Sequence, residues 1–69
     1  MDPLQITLAA ARVNAGMTQK EAAEALGINR LTLVKWENGQ VIPGTIQLIA
    51  LANIYKIPID NIFVPKATT

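Results

Sequence analysis

The chain has 69 residues with 6 basic and 5 acidic side chains, a net charge of +1, no cysteine and no histidine. A domain this short hides only about 60% of its unfolded surface, which argues against a two-lobed enzyme with a deep cleft. The two zeros remove disulfide scaffolds, zinc fingers, Cys or His nucleophile–base pairs and most transition-metal sites. The 51% hydrophobic content excludes intrinsic disorder.

Met1-Asp2-Pro3 is acidic and lacks the basic start of a secretory signal. The longest uncharged stretch, Asn38 to Tyr55, is interrupted by Asn, Gln, Gly and Pro and is unsuited to spanning a bilayer. Absence of cysteine fits a reducing compartment, and a cytoplasmic location is expected.

Asp2-Pro3 reads as a capping carboxylate followed by proline at a first helical position. Leu4, Leu8, Ala11 and Ala15 lie on one helical face, and Gly16 supplies a stop, so a first helix is expected over residues 3–15. Thr18-Gln19-Lys20-Glu21 is a capping box opening a short alanine-rich helix, Gln19 to Leu26, ended by Gly27. Asn29 caps a third helix from Arg30 to about Asn38, closed by Gly39. Two helices joined through Gly27-Ile28-Asn29 form a helix-turn-helix unit. Pro43 breaks the following loop. Thr45 to Tyr55 is apolar on nearly every side, which predicts a central, buried helix. Gly44 stands where a capping Ser or Thr is expected. Pro58 starts a short fifth element, Ile59 to Phe63, stopped by Val64-Pro65. Residues 1–64 thus form one domain, and 65–69 read as a flexible tail.

On a helical wheel at about 100° per residue, Leu33 and Trp36 are the inward anchors of the third helix. The opposite side carries Leu31, Val34, Lys35 and Asn38, with Arg30 beside them. A merely solvated face is usually more polar, although single exposed aliphatics are common. The mixture suits a DNA major groove, where Arg and Lys donate to guanine O6 and N7 and aliphatic groups touch the thymine methyl. Trp36, Tyr55 and Phe63 read as packing residues.

The ordered set from Gly16-Met17-Thr18-Gln19 through Ala23, Leu26-Gly27 and Trp36-Glu37-Asn38-Gly39 to Leu48-Ile49-Ala50-Leu51-Ala52 resembles the Cro/repressor-type (XRE-like) helix-turn-helix family, over roughly residues 4–63. The resemblance implies an all-α, compact five-helix, lambda-repressor-like domain. Its function would be sequence-specific double-stranded DNA binding by a phage or bacterial transcriptional regulator, a repressor, with residues 30–38 in the major groove. Carried over by position, Arg30, Leu31, Thr32 and Lys35 face base edges. Gln19, Asn38 and Gln40 meet the phosphate backbone, and Lys20 is a further candidate there. Arg12 and Glu37 form a structural ion pair between helices. Regulators of this type act as twofold dimers on palindromic operators. The apolar Ile59, Ile62, Phe63 and Val64 exceed what a monomer needs at that end, so a homodimer contact is expected there.

Basic content is thin for this role, since Lys20, Arg30 and Lys35 are the main cations near the proposed interface. The alternative from another class is an antitoxin-like or other protein-interaction module docking through Leu31 and Val34. An enzyme is not expected, because none of the five carboxylates shows a paired acid–base spacing. No cofactor, metal or small-molecule substrate is expected.

Overall fold

The computed structural model describes residues 5–63. Four helices run in order: α1 (Leu8–Asn14), α2 (Gln19–Leu26), α3 (Arg30–Glu37) and α4 (Thr45–Tyr55). A single 3-10 turn follows at Ile59–Asn61.

The termini of α2 and α3 follow from local chemistry. Thr18 Oγ1 accepts the Glu21 amide at 3.1 Å while the Thr18 amide donates to Glu21 Oε1 at 2.8 Å, a complete capping box. The Thr18 amide, and after it the Thr18 hydroxyl, hold the Glu21 carboxyl below its ordinary pKa. Gly27 takes φ +72°, which a side chain would strain, and lets the Ile28 amide close back on the Ala23 carbonyl at 3.0 Å. Two residues later Asn29 Oδ1 accepts the Leu31 amide at 2.8 Å and opens α3.

Three elements differ from the sequence expectation. First, α1 begins at Leu8, where Thr7 Oγ1 accepts the Ala10 amide, and not at Pro3. Asp2, Pro3 and Leu4 lie outside the described residues. The chain before Thr7 is extended because Ile6 pairs in parallel with Ile62. The Ile6 amide donates to the Asn61 carbonyl at 2.8 Å, and the Phe63 amide to the Ile6 carbonyl at 2.7 Å. Gln5 Nε2 adds a bond to the Asp60 carbonyl at 3.3 Å. Second, the fifth element is one 3-10 turn rather than a helix. Ile62 leaves it with extended geometry so that its backbone neighbours can pair with Ile6. Third, α4 is buried on one side only. Leu51, Ala52 and Tyr55 face inward, but Ile46 is 80% exposed and Ile49 is 47% exposed. An apolar sequence carries no polar stripe to mark its outer face, so wheel periodicity misses it.

The core gathers Leu8 and Ala11 of α1, Ala22 and Ala23 of α2, Leu33 and Trp36 of α3, Leu51, Ala52 and Tyr55 of α4, and Ile62. Small alanines on α2 let its backbone lie close to α3 and α4, and the fully buried Leu33 and Leu51 fill the centre. This packing fixes α3 by its Leu33–Trp36 side and leaves the other side free. Among the described residues no helix is long and apolar enough to cross a membrane.

Candidate nucleic-acid interface

The free side of α3 is the candidate interface. Arg30, Leu31 and Lys35 are exposed, Leu31 to 60%, while Thr32 and Val34 are half-buried. Asn38 and Gln40, just beyond the helix, are exposed as well. Gly39 at φ +77° turns the chain, and the Gln40 amide donates to the Lys35 carbonyl at 3.0 Å. Asn38 and Gln40 are thereby held at the C-terminal end of α3. Lys20 is exposed in the first turn of α2. No salt bridge among the described residues engages Lys20, Arg30 or Lys35. The resulting strip joins aliphatic methyls to cationic and amide groups that retain their donors.

Behind this strip lies a network that ties three helices. Arg12 Nε donates to Glu37 Oε2 at 2.8 Å, and Nη2 reaches Oε1 at 3.5 Å. The two side chains are 15% and 5% exposed. Arg12 Nη1 also donates to the Met17 carbonyl at 2.9 Å, immediately before the α2 cap. Gln19 Nε2 donates to Glu37 Oε1 at 3.0 Å. The carboxylate thus accepts from α1 and α2 while belonging to α3.

The family resemblance implied the Arg12–Glu37 pair but gave Gln19 only a phosphate-backbone role. No local spacing signals the Gln19–Glu37 bond, because 18 positions separate the partners. Tyr55 is a second feature that pattern reading left unspecified beyond packing. Its hydroxyl is buried without a hydrogen-bond partner among the described residues. Burial, and then the nearby Glu37 charge, push its pKa up to about 12, with Arg12 opposing.

Of the four residues expected at a dimer contact, Ile59 and Phe63 are exposed to 39% and 47%. Ile62 is only 4% exposed, because its pairing with Ile6 turns the side chain into the core, so it offers no free surface. Val64 lies outside the described residues.

Comparison with known proteins agrees with this architecture. A helix-turn-helix family profile matches residues 8–62. The chain is 44% identical over 50 residues to the HTH-type transcriptional regulator ImmR of Bacillus subtilis (strain 168), covering 72% of this chain and 39% of that protein. It is 32% identical over 62 residues to the Type II methyltransferase M1.ScrFI of Lactococcus lactis subsp. cremoris, covering 84% of this chain and 16% of that protein. The chain therefore spans well under half the length of either relative. No solved structure matches it significantly. The capped α2–turn–α3 unit, the core that holds it and the match over residues 8–62 place the chain in the XRE-type helix-turn-helix family.

Proposed function

We propose that the chain is the DNA-reading module of a transcriptional regulator, acting as a repressor, with α3 in the major groove. The observation that carries this reading is the exposed aliphatic and cationic side of α3, set on a rigid core. Arg30 and Lys35 would donate to base edges, Leu31 would meet a thymine methyl, and Thr32 would add a hydroxyl. Gln19, Lys20, Asn38 and Gln40 would contact phosphates on either side of the groove, fixing the register of α3. The regulator named among the relatives supports this role. The methyltransferase match covers too little of that protein to carry its chemistry here. A non-catalytic, cofactor-free role rests on a chain without His or Cys.

A twofold dimer on a palindromic site is part of the proposal. Its contact would use Ile59 and Phe63, which expose apolar surface at the end of the chain remote from the α2–α3 turn in sequence. A protein monomeric in sedimentation both at high micromolar concentration and on duplex would remove this element.

The deciding experiment is retention on duplex DNA across a salt series. If Lys20 at a phosphate and Arg30 and Lys35 at base edges each displace one counterion per subunit of a dimer, log affinity falls against log salt with a slope of about −5. Charge reversal at Arg30 and Lys35 should abolish retention. Salt-insensitive binding, or binding unaffected by charge reversal, would favour a module that docks protein through Leu31 and Val34.

A further inference from the structure

We infer that Glu37 is a positioning residue for the phosphate-contacting end of α2, acting through the side-chain amide of Gln19; this rests on the DNA-binding reading above. Gln19 is the first residue of α2, and its Nε2 donates to Glu37 Oε1 at 3.0 Å. A glutamine side chain can present either its oxygen or its nitrogen to a neighbour, and only the nitrogen donates to a phosphate. A carboxylate only accepts. Glu37 therefore selects the amide orientation in which nitrogen is held, with one hydrogen bound and the second left for a further acceptor.

The anchor is itself fixed. Arg12 holds both carboxylate oxygens, at 2.8 and 3.5 Å, and its remaining nitrogen holds the Met17 carbonyl at 2.9 Å. Glu37 is consequently a fixed acceptor at the end of α3 for a side chain at the start of α2. Arg12 also offsets the carboxylate charge, so an approaching phosphate does not meet a bare anion beside Gln19. The recognition helix and the phosphate clamp are thereby held in one register by a single carboxylate.

The test is a double-mutant cycle on DNA affinity, with Gln19→Met, Glu37→Gln and both together. The probe is a mixed-sequence duplex at low salt, and each variant's folded fraction comes from circular dichroism. Gln19→Met removes the donor, keeps the Arg12–Glu37 pair, and should weaken binding about 10-fold, the loss of one hydrogen bond to a charged acceptor. Glu37→Gln lets residue 37 donate as well as accept, so the amide orientation is no longer selected and affinity falls. In the Gln19→Met background the same change should alter affinity by less than about twofold, because coupling runs through Gln19. Multiplicative losses, or a Gln19→Met variant that binds like the unmodified chain, would overturn the positioning role. If Glu37→Gln does not fold, the side-chain amide resonances of Gln19 decide. In the unmodified chain they should shift on adding duplex, and an unmoved pair overturns the proposal. Unmodified protein showing no salt-sensitive retention on duplex would instead sink the DNA-binding reading itself.

Discussion

Replacing Glu37 by alanine tests the energetics of the three-helix network. The Glu37 side chain is 5% exposed and the Arg12 side chain 15%, so the pair is part-buried. Removing one member of a buried pair typically costs about 3–5 kcal/mol, because the other charge is stranded. Here Arg12 keeps its bond to the Met17 carbonyl, which places the expected loss near the lower end, at about 3 kcal/mol. A 69-residue chain has roughly 3–10 kcal/mol of stability in total, so that loss removes a large fraction of it. For a domain of this size about 3 kcal/mol lowers Tm by roughly 12–24 °C. Thermal and urea unfolding followed by circular dichroism and by fluorescence of the sole tryptophan, Trp36, would measure it. The double variant Arg12→Met with Glu37→Leu should recover most of the loss, since no charge is left stranded. A Glu37→Ala change within about 0.5 kcal/mol of the unmodified chain, the ordinary range for surface substitutions, would refute the argument. So would a double variant as unstable as the sum of both singles.

Three further outcomes follow from single sites. Tyr55 is the sole tyrosine, so ultraviolet absorbance reads its ionisation directly, with an expected midpoint near pH 12. Because its folded pKa is raised above the unfolded value, the stability it contributes is intact below about pH 10 and lost as pH rises towards 12; Tyr55→Phe should flatten that alkaline decline, and an ordinary midpoint near 10 would contradict the burial. Lys56 adopts φ +57° at the end of α4, so Lys56→Gly should raise stability by about 0.5–1 kcal/mol, and a lowered Tm would count against the strain. Arg30→Ala should cost about 1–3 kcal/mol of binding to a selected site and relax preference at one position per half-site; uniform weakening across all sequences would reassign Arg30 to the phosphate backbone.

What the sequence made legible was local. Thr18 with Glu21, Gly27, Asn29 and Gly39 each act within four residues of themselves, and the bounds of α2 and α3 emerge from them alone. The start of α1 was not legible, because two signals compete. Asp2-Pro3 is a good helix opening, but Thr7 caps equally well and frees Ile6 to pair with Ile62, a partner 56 positions away. The same pairing turns Ile62 inward and splits an apolar run that reads as one surface. On α4, Ile46 and Ile49 are as apolar as Leu51, so nothing in composition says which side meets solvent. At the candidate interface, the exposure of Arg30, Leu31 and Lys35 follows from the wheel once Leu33 and Trp36 are placed inward. The role of Gln19 does not, because its partner is brought near only by the packing of α2 on α3.

Mapping methyl and amide resonances while titrating a duplex into the protein at low salt tests the central claim most directly. The account predicts that the Leu31 and Val34 methyls, and the amides of Gln19, Lys35, Asn38 and Gln40, move together and return as salt is raised. Perturbations confined to the outer side of α4 around Ile46 and Ile49, or none on α3, would contradict it.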